Sequence, residues 1–310
     1  MKQHILWDLN NYINQDYTLP KINCTFDIKT NINSSVKEDQ EKWILEFFGN
    51  SIEKSKKYLG QQTFLIYMFS FPFASPDELK CIFKIMDWAF IIDDFYFESK
   101  AKGMSYLEKL FKTNKDKSKD KFIKLFWEII NEYKQIGKKD SIDVLINEIY
   151  SWAKSAVQCS KNDQISSNST LAEYMESRYY DIGIIMALAS STTLISIPKE
   201  IRESKIFKQL EYWFVVCNTL INDCYSFNKE KNEPVLTNYV KIKTLQCGSI
   251  QTSLDFVAET IENSLTEINN HSNQLIQQYP NNINLKQYIK SLKYLTSGHL
   301  HVSSICNRYK

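Results

Sequence analysis

Three carboxylates close an apolar stretch that begins at Cys81: Asp93, Asp94 and Glu98, within Ile91-Ile92-Asp93-Asp94-Phe95-Tyr96-Phe97-Glu98. An unpaired carboxylate at the edge of apolar surface is costly to take out of water, so the segment calls for either neutralisation or a bound cation. Upstream, Ser75-Pro76-Asp77-Glu78 has the signature of a helix N-terminus, with Ser75 as cap, Pro76 at the first helical position and Glu78 closing a capping box. The acids therefore fall near the C-terminal end of a helix of roughly 20 residues, where the macrodipole already presents partial negative charge. A hard divalent ion with oxygen ligands, Mg²⁺ above all, offsets that mismatch. At about 100° per residue, Phe83, Met86 and Phe90 lie on the same side of the helix as Asp93, while Trp88 points the opposite way, into ordinary core.

A second constellation lies far downstream. In Asn222-Asp223-Cys224-Tyr225-Ser226-Phe227-Asn228-Lys229-Glu230, the residues Asn222, Ser226 and Glu230 are spaced i, i+4, i+8. On a helix they form one stripe of oxygen-bearing groups, each able to ligate a hard cation. Asn218 and Val215 continue that face toward the N-terminus, and Trp213 falls on the opposite side. Taken alone, such a stripe is weak evidence, and a solvated polar face is the commoner explanation.

The elements that must position these groups are helices. Gly and Pro number only 7 and 6 in 310 residues, too few for a strand-and-turn architecture, and no β-alternation, 20–50 residue repeat or Gly-rich phosphate loop is present. Helical periodicity is predicted over 38–58, 64–71, from Ser75, 121–136, 140–159, 171–197 with an interruption at Gly183, 201–230, 250–279 and 283–306. The result is an all-α chain of about ten or more helices. Residues 1–36 are expected to form an irregular N-terminal segment over the outside of one 37–310 domain. The alternating charges of Lys112–Lys121 read as a solvated loop. Net charge is +2, which gives no mandate for nucleic acid or an anionic membrane, and no apolar run spans a bilayer. The seven cysteines are scattered singly, as free thiols of a reducing compartment, so a cytoplasmic location is expected. His4, His271, His299 and His301 show no catalytic spacing, and Asn168-Ser169-Thr170 is dismissed as a glycosylation site for want of a secretory signal.

An apolar helix ending in Asp-Asp-x-x-x-Glu, followed in an all-α chain by Asn-Asp-x-x-Ser-x-x-Lys-Glu, resembles the class I terpene synthases of microbes and social amoebae. The resemblance covers most of the chain in helix order and implies a single-domain class I terpenoid synthase bundle. Arg178 stands 44 residues before Asn222, about where the family carries its diphosphate-sensing arginine. Asp181 takes the place of the family's linker carboxylate, Ile182 that of the carbonyl donor at a helix break, and Arg308-Tyr309 that of its C-terminal Arg-Tyr pair. Lys229 matches the basic residue beside the last metal ligand. Two departures stand out. Val302 occupies a position that is often aromatic, and three residues rather than two separate Asp94 from Glu98.

What the resemblance implies is a lyase that ionises an isoprenyl diphosphate. Three Mg²⁺ ions, replaceable by Mn²⁺, would sit among Asp93, Asp94, Glu98, Asn222, Ser226 and Glu230. Arg178, Lys229, Arg308 and Tyr309 would hold the diphosphate, and Phe83, Met86, Phe90 and Val215 the hydrocarbon tail. Farnesyl diphosphate cyclised to a sesquiterpene is the first expectation and geranylgeranyl diphosphate the second. A chain-elongating prenyltransferase normally has an Asp-rich second motif, against Asn222/Ser226/Glu230. A non-catalytic helical scaffold would show no Mg²⁺ dependence. Oligomeric state is left open, with a homodimer among the assemblies considered.

Overall fold

The computed structural model describes residues 7–12, 14–93, 103–112, 119–159 and 165–309. Among them are fourteen α-helices and no strand. Before the first α-helix the described residues are irregular, with one 3₁₀ turn at Leu9–Tyr12. This segment is irregular but anchored. Trp7 is buried, stacks on Tyr12, meets Phe227 edge-on and donates its indole N–H to the Lys231 carbonyl at 2.6 Å. Tyr17 donates to Asn228 Oδ1 at 2.6 Å and accepts from Lys231 Nζ at 2.8 Å. The N-terminal strap thus braces the chain at the end of the helix that carries Asn222, Ser226 and Glu230.

Helices α1 (Ser34–Phe47) and α2 (Ile52–Leu59) occupy the stretch where periodicity predicts a single helix. The break falls at Gly49 and Asn50, whose φ angles of +62° and +63° end the first helix. Next come α3 (Thr63–Ser70) and α4 (Pro76–Ile92). The capping box at Ser75 and Glu78 is formed, and Asp93 caps the far end of α4. As expected, Trp88 is fully buried against Phe126, on α6. Helices α5 (Gly103–Lys112), α6 (Lys121–Ile136) and α7 (Lys139–Cys159) follow.

The helical pattern over 171–197 is interrupted at Gly183 as expected, giving α8 (Leu171–Arg178) and α9 (Ile184–Ser191) with a five-residue break between them. Short α10 (Lys199–Arg202) precedes α11 (Lys205–Glu230), and the last three are α12 (Tyr239–Cys247), α13 (Ile250–Gln278) and α14 (Ile283–Ile305). Neither α5 nor α12 is among the predicted helices. A 3₁₀ turn at Asn307–Tyr309 completes the described chain.

The spine is α11. From Phe214 to Phe227 every residue except Asn222 is buried, because α13, α14, α12 and α9 all pack around it. Helix α4 is held by α6, α1, α9 and α3, and α14 lies across α3. The α14–α3 crossing is close at Gly298, where an added Cβ would come within 2.4 Å of the Phe69 carbonyl oxygen. No helix among the described residues is long and apolar enough to cross a membrane. The six described cysteines whose side chains are placed are free thiols.

Candidate active site

A cavity of about 350 Å³ opens between α3, α4, α7, α9, α11 and α14. Asp93 lies on its wall, and so do Asn222, Ser226 and Glu230. The two oxygen-rich stripes, 129 residues apart in sequence, therefore face one space. The cations expected beside them, Arg178, Lys229 and Arg308, line the same cavity. Asp94 and Glu98 lie outside the described residues.

The apolar stripe of α4 is only partly used. Met86 and Phe90 line the cavity with Asp93, whereas Phe83 does not. One turn deeper than Met86, it is 1% exposed and packs edge-on against Trp43 of α1. Val215 is a second correction: it is fully buried and outside the lining. Asn218, one turn further along the same α11 stripe, is also fully buried and bonds to His299 of α14. Angular position gives the face of a helix, not the depth at which a neighbour covers it.

The ligand stripe on α11 is held by residues the sequence argument passed over. Asn238 caps α12, and its Nδ2 donates to Glu230 Oε2 at 2.9 Å and to the Asp223 carbonyl at 2.8 Å, with Ser226 Oγ at 3.5 Å. Asp223, fully buried and turned aside from the stripe, accepts from Tyr174 Oη (2.7 Å) and the Tyr239 N–H (3.0 Å). Its other oxygen lies 3.7 Å from Arg178 Nη2. Burial pushes this carboxyl up to about 6, against the pull of Arg178 and the two hydrogen bonds. Asp223 thus ties α11 to α8, and its adjacency to Asn222 was the one available signal.

Arg178 ends α8 and pairs with Asp181 within the helix break. Ile182 and Gly183 line the cavity at that break. Gly183 has φ of +70° and caps α9, and a Cβ there would meet Trp152 at 3.2 Å. The position therefore requires glycine for conformation as well as space. Trp152, from α7, contributes an aromatic wall that spacing on its own helix could not reveal.

The C-terminal turn is docked rather than loose. Arg308 lies 4.3 Å from the centroid of the Phe90 ring and donates from Nη1 to Gln61 Oε1 at 2.6 Å. Cys306 Sγ contacts the Gln61 carbonyl and the Asn307 N–H donates to Gln62 Oε1. Tyr309 is buried, with Oη 3.2 Å from His299 Nε2.

The donor set can be tested against a metal. Asp93, Asn222, Ser226 and Glu230 offer oxygen only, the ligand chemistry of Mg²⁺ or Mn²⁺ rather than of a soft ion. Among the described residues no three Asp, Glu, His or Cys side chains converge as a cluster. A cation at the α11 stripe would therefore lean on two neutral oxygens and one acid.

Residues 84–267 match the family model for terpene synthase family 2, C-terminal metal binding. The chain is 34% identical over 305 residues to terpene synthase 8 of Dictyostelium discoideum, covering 98% of this chain and 97% of that one. This chain belongs to the terpene synthase family. It is a lyase cleaving a carbon–oxygen bond to phosphate, and the family implies an isoprenyl diphosphate substrate. Its fold matches that of hedycaryol synthase, with a TM-score of 0.79 at 17% identity over 93% of this chain and 99% of that one. Linalool/nerolidol synthase from Streptomyces clavuligerus in complex with 2-fluorogeranyl diphosphate also matches, with a TM-score of 0.76 at 12% identity, covering 94% and 100%.

Proposed function

We propose that this terpene synthase binds Mg²⁺ through Asp93 with Asp94 on one side and Asn222, Ser226 and Glu230 on the other, and converts farnesyl diphosphate to a cyclic sesquiterpene. The observation that carries the proposal is the shared cavity: oxygen donors at the C-terminal ends of α4 and α11, three cations beside them, and apolar walls from Met86, Phe90 and Trp152. Helix C-termini carry partial negative charge, so two of them at one mouth favour cations there. Bound at those donors, Mg²⁺ would supply positive charge against the leaving diphosphate.

Arg178, Lys229 and Arg308 would neutralise the remaining charge on the departing group, a preorganised field that is strongest as the bond breaks. Pairing with Asp181 and Asp223 holds Arg178 in place before substrate arrives. The start of α9, at Gly183 and Ile184, adds the positive end of a helix dipole to the same wall. Phe90 and Trp152 line the cavity and would offer aromatic rings to the carbocation, each worth about 0.5–2 kcal/mol. The hydrocarbon tail would lie along Met86, Ala187 and Leu295, away from water that would quench the cation.

Purified protein incubated with ten-, fifteen- and twenty-carbon isoprenyl diphosphates and Mg²⁺, with products identified by gas chromatography and mass spectrometry, tests this. A cyclic fifteen-carbon product that disappears on chelation is the expected result. A product from the twenty-carbon substrate alone would make it a diterpene synthase, and longer diphosphates after adding isopentenyl diphosphate a prenyltransferase. Unchanged turnover in Asp93→Ala and Asn222→Ala would refute the assigned metal sites.

A further inference from the structure

A second cavity, of about 330 Å³, lies behind the first, and the same helices run along both. On α4 the first cavity has Asp93 and the second has Glu78, 15 residues and about 22 Å of helix rise nearer the N-terminus. On α9 the order is Ala187 and then Ser191, and on α14 it is Leu295 and then Ser291. The second cavity therefore continues the first away from its metal-facing end. Exposed Phe73 and Leu194 mark where it reaches the surface. Ser70 and Phe71, at the end of α3, are the only described residues common to the two walls.

This partition is thin and fixed. Ser70 is small and its buried Oγ bonds to no described group, so the Phe71 ring supplies most of the barrier. The Phe71 carbonyl accepts from the Ala74 N–H at 3.2 Å and from Asn31 Nδ2 at 3.4 Å. Helix α14 also sits against the backbone of Phe69 and Ser70 where it crosses at Gly298. With its backbone pinned in this way, the wall does not swing aside. Behind it, the charged groups are already engaged: Glu78 holds the Ser75 cap, and Lys290 Nζ lies 3.8 Å from the centroid of the Phe73 ring.

We propose that Phe71 is the chain-length stop of this enzyme, its ring closing the tail end of the cavity so that the rear cavity stays out of reach. A tail running from the diphosphate past Met86, Ala187 and Leu295 ends against that ring. Cutting the ring back joins the two spaces and roughly doubles the room. The extra five carbons of a longer substrate then lie beside Phe73 and Leu194, where their burial is favourable. This rests on the terpene synthase chemistry proposed above.

The test compares kcat/KM for the preferred isoprenyl diphosphate with that for the one five carbons longer. In Phe71→Ala the ratio should shift toward the longer chain about tenfold or more. A packing role alone would lower both values together, so an unchanged ratio would overturn the proposal, as would wild-type protein that already turns over both lengths equally. Ser291→Phe, which fills the rear cavity from α14, should leave the wild-type ratio as it is and restore it in the Phe71→Ala background. A shift in the single variant, or no restoration in the double, would place the extra carbons elsewhere and also overturn it. If Phe71→Ala melts below assay temperature, Phe71→Leu must shift the ratio severalfold in the same direction. Unreactive thiolodiphosphate analogues of fifteen and twenty carbons, titrated with Mg²⁺ present by calorimetry, give the ratio of affinities without turnover. Wild-type protein that releases no diphosphate from any substrate would thus refute the function, while the analogue ratio still decides on Phe71.

Discussion

Gly298→Ala offers a sharp test of how α14 is seated, because two effects of opposite sign compete there. Alanine is the better helix former, by about 1 kcal/mol in an exposed helix interior. Against this, the new Cβ would lie 2.4 Å from the Phe69 carbonyl oxygen, 2.5 Å from its carbon and 2.7 Å from the Ser70 nitrogen, where ordinary contact begins at 3.4 Å. The obstacle is backbone, so no side chain can rotate away, and α14 or α3 must yield by about 1 Å. Overpacking of this kind costs about 1–3 kcal/mol and sometimes more, and backbone contact belongs at the upper end. Steric cost should therefore win, leaving a net loss of about 2 kcal/mol and a melting temperature lower by about 3 °C. Because His299 is the next residue and α14 leads into Arg308 and Tyr309, kcat should fall as well. Thermal melting by circular dichroism, alongside steady-state diphosphate release, would measure both. A variant that melts at or above the wild-type temperature would refute the close crossing of α14 on α3.

Three further outcomes follow from the same geometry. Asn238→Ala removes the donor that orients Glu230, so the Mg²⁺ concentration for half-maximal activity should rise about tenfold or more, read by metal titration of diphosphate release. Arg308→Lys keeps the charge but loses the guanidinium plane over Phe90 and the bond to Gln61; KM for the diphosphate substrate should increase severalfold, and an unchanged KM would detach Arg308 from the site. Asp87 is fully buried, accepting from Gln40, Tyr58 and Tyr67, and burial raises its carboxyl from 3.8 to about 6. Between those values the folded state binds the extra proton, so stability should decline as pH rises from about 4 to about 6 and then level, by at most about 3 kcal/mol. Asp87→Asn should flatten that part of the profile in denaturant titrations across pH, with Gln40 turning over so that its oxygen faces the new amide.

The oxygen-bearing stripe of α11 and the Asp93 end of α4 were legible because each lies within one helix. Ser75 and Glu78 set where α4 starts, the apolar run sets how far it goes, and i, i+4, i+8 spacing does the rest for α11. What escaped was whatever depends on a second element. Phe83 shares a face with Phe90, but α1 covers it; Val215 shares a face with Asn222, but it is fully buried outside the cavity lining. The interruption at Gly49–Asn50 was missed because apolar periodicity runs through it, whereas two consecutive positive φ angles are the property of turn residues. Trp152 and His299 carried no signal, since each reaches the cavity from a helix whose own pattern is ordinary core packing.

Asp223 shows why an acid beside a cavity-lining residue need not face the cavity. It sits about 100° round α11 from Asn222, which turns it away from the cavity and into the contact with α8. There it meets Arg178, Tyr174 and the first N–H of α12, three partners from two other elements. A carboxyl raised to about 6 by burial is stable as an anion at neutral pH only while those partners remain in place. Arg178 is in turn shared between Asp223 and Asp181. Any anion that draws Arg178 into the cavity must therefore loosen its hold on at least one of these acids. Asp223→Asn weakens one of the two competitors, while its amide can keep an oxygen for Tyr174 and Tyr239. Arg178 should then respond more readily to inorganic diphosphate, seen as tighter binding by calorimetry at pH 7. Equal or weaker affinity would show that Asp223 aims Arg178 at the ligand instead of competing for it.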